Sequence, residues 1–192
     1  MIAEQVVSAL AAAVEAKDAA TDRHAHRVAA SARRLGVRLG IPDDDLDTLY
    51  FGGIVHDIGK IGVSEAILHK AGTLDTHERT SMQAHPLIGE AIVAPISSGS
   101  TLLPIIRHHH ERFDGDGYPD GLRGAEIPLM ARIISICDAF DALVNDRPYR
   151  TRVCAAEAVL ILRCGAGRQW DPELVELFAE EMEAASPELG EP

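Results

Sequence analysis

Residues 128–144 read PLMARIISICDAFDALV. A proline opens the run, where its fixed φ and missing N–H suit the first turn of a helix. Ile133, Ile134, Ile136, Phe140, Leu143 and Val144 then leave almost no polar face. A helix that is apolar nearly all round is a buried one, so a central helix is expected to start at Pro128. One residue breaks the pattern. Asp138 lies four after Ile134, inside the most apolar helix of the chain. A carboxylate there is costly unless it is paired or bound to a metal.

Outward from this segment the same helical period recurs and strand signals are nearly absent. Ala25, Val28, Ala29, Ala32, Leu35, Gly36 and Leu39 form one stripe, stopped by Gly40-Ile41-Pro42. Leu46, Leu49, Tyr50 and Gly53 form a second. Leu102, Leu103, Ile105 and Ile106 mark a short third helix, and Leu174, Val175, Leu177 and Phe178 a last one after Asp171-Pro172. The acidic residues of that last helix, Glu173, Glu176, Glu180, Glu181 and Glu183, read as a solvated face. From Glu111 to Pro128, ERFDGDGYPDGLRGAEIP, glycine and proline dominate. A turn-rich loop this long within a compact domain is often functional. Glycines 115 and 117 permit backbone that other residues avoid, with Arg112 and Asp114 expected to hold the loop in shape. The reading is one all-α domain over 1–192, with an acidic tail from about 184.

Bulk numbers narrow the partners. The formal net charge is −12, which excludes a general electrostatic footprint for DNA. An anionic substrate would need a local positive site. No apolar run approaches the roughly 20 residues of a membrane span, and MIAEQVV lacks the basic start of a signal peptide. A cytoplasmic setting is expected. Cys137, Cys154 and Cys164 form no CxxC pair, and all three are read as buried.

The nine histidines matter by position. His24 precedes Val28 by four, at the start of its apolar stripe, whereas His26 falls on the opposite side. His56 and Asp57 follow Leu49 and Tyr50 by seven, extending that helix's inward face. His85 is three after Met82, and Pro86 makes a helix break probable there. His109 follows Leu102 by seven and His110 follows Ile106 by four. One inward histidine is usually a hydrogen-bonded core residue. Five histidines and two aspartates from five segments would need seven separate polar solutions in one core. A shared metal cluster satisfies them together. Nitrogen and carboxylate donors without cysteine suit iron or manganese, and less specifically zinc or nickel. Two such ions can generate a hydroxide between them for in-line attack on a phosphoester.

The ordered motifs resemble those of the HD phosphohydrolase superfamily and its HD-GYP branch. They are TDRHAHRV at 21–28, HDIGKIG at 56–62, HP at 85–86, HHERFDGDGYP at 109–119, IPLMARIISICDAFDAL at 127–143 and RPYR at 147–150. The resemblance spans about Ala11 to Phe178. It implies an HD-domain helical bundle that hydrolyses cyclic di-GMP to linear pGpG, and often onward to GMP. Matched motif by motif, it implies metal ligands His24, His56, Asp57, His85, His109, His110 and Asp138, with His56 and Asp57 at the catalytic centre. Lys60 matches a residue that approaches the phosphate, so it is both catalytic and substrate-binding. Tyr118 belongs to the GYP loop. Arg147 and Arg150 match positions that hold the dinucleotide, and Arg152 clusters with them. Asp141, one turn after Asp138, is expected to orient a ligand or Lys60. Some members bind a third metal through a carboxylate one turn before the first histidine. That position is Ala20, so two divalent ions are expected, although Glu15 and Asp18 could contribute. Two other readings stand beside this one. One is a signalling module that binds a cyclic dinucleotide or a GGDEF-type cyclase without turnover. The other is a phosphodiesterase for a different cyclic dinucleotide. Relatives often carry an attached sensory or receiver domain, and none is read in this sequence.

Overall fold

The computed structural model describes residues 22–96, 99–146 and 151–185, together with position 9. In chain order the helices are α1 (Asp22–Arg38), α2 (Asp43–Val55), a 3₁₀ turn (Ile58–Gly62), α3 (Glu65–Leu68) and α4 (Thr76–Gln83). They continue with α5 (His85–Val93), α6 (Leu103–His108), α7 (Leu129–Val144), α8 (Ala155–Gly165) and α9 (Pro172–Ala185). Among the described residues there is no strand, only an isolated bridge between Ala166 and Trp170. No helix of the described residues is long and apolar enough to cross a membrane.

The helix boundaries follow local chemistry. α1 ends at Gly40, whose φ of 72° is the left-handed conformation that glycine tolerates best. α2 begins after Pro42 with three aspartates in its first turn, complementing the helix dipole. α4 opens with a capping box: the Asp75 carboxylate accepts from Glu78 N at 2.9 Å, and the Glu78 carboxylate accepts from Asp75 N at 2.8 Å. The chain breaks between α4 and α5, and Pro86 sits in the first turn of the new helix.

α7 is the central helix. Its Ile133, Ile134, Ile136 and Cys137 are fully buried and pack with Val28, Ala32, Leu35, Leu49, Val175 and Phe178. A second cluster joins Ala29, Ile54, Val55 and Ile58 to Val93, Leu102 and Ile106. α1 packs on both α2 and α7. The 3₁₀ turn presses on α5 so closely that a Cβ at Gly59 would overlap the His85 carbonyl oxygen and lie 2.5 Å from Gly89 N.

Four expectations change. α8 has no counterpart in the periodicity above. Its apolar residues fall on both sides, so Ala158, Val159 and Leu162 are buried while Leu160 is 59% exposed. Only Cys137 of the three cysteines is buried. Cys154 stands at the α8 N-terminus, where its Sγ accepts from Glu157 N at 3.5 Å, and Cys164 lies exposed near the other end of that helix. The His56–Asp57 pair does not extend α2. His56 terminates it, and Asp57 starts the 3₁₀ turn. The acidic face of α9 is not simply solvated. Glu181 pairs with Arg34 at 2.8 Å, Glu180 with Arg38 at 2.9 Å, and Glu183 with Arg163 at 2.7 Å. These exposed pairs set contacts to α1 and α8 and contribute little energy each.

Candidate metal centre

Element ends deliver the donors. His24 is in the first turn of α1, His56 follows α2, His85 starts α5, and His109 and His110 follow α6. Asp138 lies in mid-α7. The structure gathers them into two groups, with donor atoms within 4.8 Å of one another in each. Asp57, His85, His109 and His110 form one, and His24, His56 and Asp138 the other. The groups adjoin where His56 Nε2 lies 3.5 Å from Asp57 Oδ2. All seven residues singled out in the sequence therefore meet. His26 is exposed on the far side of α1.

Three histidines are oriented identically. Nδ1 of His56 bonds to Gly53 O at 2.8 Å, that of His85 to Met82 O at 2.8 Å, and that of His109 to Ile106 O at 2.9 Å. A carbonyl only accepts, so each Nδ1 carries the proton and each Nε2 keeps a lone pair. Those lone pairs converge. His85 Nε2 and His109 Nε2 are 3.3 Å apart and lie 3.2 and 3.7 Å from Asp57 Oδ1. His24 is held by a carboxylate instead. Its Nδ1 lies 2.7 Å from Asp141 Oδ2, and its Nε2 faces Asp138 Oδ1 at 3.2 Å. Asp141 thus orients a histidine rather than Lys60. His110 makes no ring hydrogen bond among the described residues. Its imidazole packs against His85 and His109 and stacks on the Tyr118 ring at 5.0 Å and 25°.

Burial tests whether a cation fits. His56 is fully buried, and its Nε2 has no hydrogen-bond partner; nor does Asp57 Oδ1. A buried acceptor without a partner costs about 1–3 kcal/mol. Coordination removes that cost, and the donor set suits a divalent ion. The charge state agrees. Burial lowers His56 to about 4, and also pushes His110 well below its usual value, so both rings are neutral. Burial alone would raise Asp57. The Lys60 ammonium outweighs it and holds the carboxylate well below the normal range. Asp138 is likewise depressed, because its hydrogen bond to His24 overcomes burial. His24 is the exception. Burial lowers it, yet Asp138 and Asp141 together raise it to about 9.

The surroundings are less uniform. Lys60 Nζ pairs with Asp57 Oδ2. Tyr118 is largely buried, and that burial raises its hydroxyl pKa. Its loop is fastened by Glu111, which accepts from Asp120 N at 2.7 Å and Leu122 N at 3.1 Å. Arg107 grips Asp120 at 2.7 and 2.8 Å. His108, Glu111 and Asp120 also have metal-like spacing, but these bonds already engage both carboxylates. Arg112 chelates Asp114 at 3.0 and 2.6 Å, as expected. Gly115 has φ 85°, whereas Gly117 is required for space, since its Cβ would sit 2.5 Å from Glu111 Cα. Arg147 and Arg150 lie outside the described residues, as do Glu15, Asp18 and Ala20. Arg152 is described and exposed, its backbone N bonding Asp146 at 3.1 Å.

Sequence reasoning missed Arg27, Glu111 and Asn145. Arg27 lies one turn after His24, on the same side of α1, and that i, i+3 spacing was the available signal. Glu111 gave none, because its partners are backbone groups of its own loop, and Asn145 lies one turn after Asp141 at the end of the same helix, where a helix cap is the simpler reading.

An all-helical domain that converges five histidines and two aspartates into two adjoining groups of donor atoms is of the metal-binding HD class. The family model described as HD domain matches residues 8–174, and the chain belongs to that family. Its motifs are those of the HD-GYP type. It is 42% identical over 170 residues to the 3'3'-cGAMP-specific phosphodiesterase 3 of Vibrio cholerae, covering 88% of this chain and 37% of that protein. It is 36% identical to the cyclic di-GMP phosphodiesterase response regulator RpfG of Xanthomonas campestris, covering 90% of this chain and 46% of that one. A crystal structure of a cyclic GMP-AMP specific phosphodiesterase of Vibrio cholerae superposes with a TM-score of 0.62 at 36% identity, over 96% of this chain and 42% of that one. The chain spans less than half the length of these relatives.

Proposed function

We propose that this domain is a metal-dependent phosphodiesterase that opens cyclic di-GMP to linear pGpG. The observation that carries the reading is the pair of adjoining donor groups joined at His56–Asp57. Divalent cations held by those residues would supply Lewis acidity and a nucleophile from water at neutral pH. We assign one ion to Asp57, His85, His109 and His110 and one to His24, His56 and Asp138, with iron or manganese favoured. Asp57, which adjoins the second group at His56, would serve both ions. Lys60, beside Asp57, stabilises charge that develops on the phosphoryl oxygens. Arg147 and Arg150 take the guanine or second phosphate, for which a guanidinium offers both a bidentate fork and a stacking face. Tyr118, stacked on the His110 ring, would contact the same substrate. The three free cysteines fit a reducing cytoplasm.

A second substrate reading has its own support, since a relative at 42% identity is named for 3'3'-cGAMP. A chromatographic time course of anaerobically purified protein with each dinucleotide separates them. Faster loss of cyclic di-GMP, with pGpG appearing first, supports the primary reading. Turnover confined to 3'3'-cGAMP replaces it, and binding without product supports a signalling module.

A further inference from the structure

Two crossing helices present interlocked pairs behind the three-donor group. On α1, Arg27 follows His24 by three; on α7, Asp141 follows Asp138 by three. Arg27 Nε bonds to Asp141 Oδ1 at 2.5 Å and its NH2 to Oδ2 at 2.9 Å. Asn145 Nδ2 reaches the same Oδ1 at 3.1 Å, and His24 Nδ1 lies 2.7 Å from Oδ2. Each carboxylate oxygen therefore has two partners.

We propose that Arg27 is a positioning residue of the metal centre. By gripping Asp141 it fixes the His24 ring, aims Nε2 at the ion, and keeps Asp141 from becoming a ligand itself. This rests on the reading that His24, His56 and Asp138 hold a cation. An exposed ion pair between two mobile side chains does little, and Arg27 is 41% exposed. Its partner is not mobile, however. The Asp141 side chain is only 8% exposed and is also tied to His24 and Asn145. The fork also places both guanidinium nitrogens on one carboxylate, which a lysine cannot reproduce.

The test is a calorimetric titration of Mn²⁺ into the metal-free protein, comparing wild type with R27M, R27K, D141A and the R27M/D141A double variant. A H24A variant identifies which binding step belongs to the three-donor group. Wild type is expected to take up two ions. R27M weakens the step that H24A lacks by about 10–100-fold and leaves the other step unchanged, while R27K falls between. Adding R27M to D141A produces no further loss, because Arg27 acts through Asp141. Melting of the metal-free proteins checks folding, and R27K is read alone if R27M does not fold. Wild-type affinity in R27M and R27K overturns the proposal. So does an R27M effect that persists undiminished on D141A. If wild type binds fewer than two ions, the metal reading itself fails and takes this inference with it.

Discussion

Asp141 Oδ2 lies 2.7 Å from His24 Nδ1, so the first histidine of the centre is oriented by a carboxylate and not by a backbone carbonyl like His56, His85 and His109. A carboxylate behind a metal-bound histidine fixes its tautomer and raises its basicity. Replacing Asp141 with alanine is expected to lower turnover by about 10–100-fold while the fold persists. Steady-state kinetics with circular dichroism checks this, and an unimpaired variant would show that His24 needs no such support.

Lys60 separates chemistry from metal loading. Its Nζ pairs with Asp57 Oδ2, whereas Asp57 Oδ1 faces away from it, among the ring nitrogens of His85 and His109 that form the same donor group. Lys60→Ala is therefore expected to keep its metal content and lose activity by about 100-fold, the scale of one removed electrostatic stabiliser. Metal analysis beside kinetics reads both quantities. A parallel loss of metal would instead make Lys60 a support for Asp57.

Gly59 is the tightest point between the 3₁₀ turn and α5. A methyl group there must displace the backbone at His85, because its nearest neighbours are main-chain atoms. Gly59→Ala is expected to cost about 3 kcal/mol or more, lowering the melting temperature by roughly 6–12 °C. Thermal denaturation of metal-free protein gives the value, and a wild-type melting point would contradict the packing described.

Thiol labelling tests burial and pH dependence together. Burial pushes the Cys137 thiol up to about 12. The thiolate is the reactive form, so at pH 8 only roughly one part in 10⁴ of Cys137 is reactive, and that fraction rises with pH. Iodoacetamide should modify two thiols, Cys154 and Cys164, in the native protein and all three after denaturation. Mass spectrometry of tryptic peptides locates the label. Native modification of Cys137 would argue against the central position of α7.

The fold was largely legible because its core helices are long and periodic. The run from Ile133 to Val144 could only be buried, and Gly40 and Pro42 marked an end and a start. The donors were legible for a related reason, since polar residues at inward positions of apolar stripes need an explanation. Other features had no local signature. α8 carries apolar residues on both sides, so Leu160 and Leu162 look equivalent in sequence yet differ in burial. The end of α2 at Val55 reflects the close approach of the 3₁₀ turn to α5, a tertiary event. Arg27 acts on Asp141 across the helix crossing, more than a hundred residues away in sequence, and Asn145 acts on it from one turn further along the same helix end. Spacing puts Arg27 beside His24 and Asn145 beside Asp141, but it does not show which carboxylate either one holds.

If the adjoining donor groups hold the ions that drive phosphodiester cleavage, losing His56 and Asp57 together must remove both metal and turnover. The measurement is to purify the His56→Ala, Asp57→Ala double variant beside wild type, count bound metal, and follow cyclic di-GMP. Two ions per chain and formation of pGpG are expected for wild type, with loss of both for the folded variant. Full turnover by the variant would contradict that role.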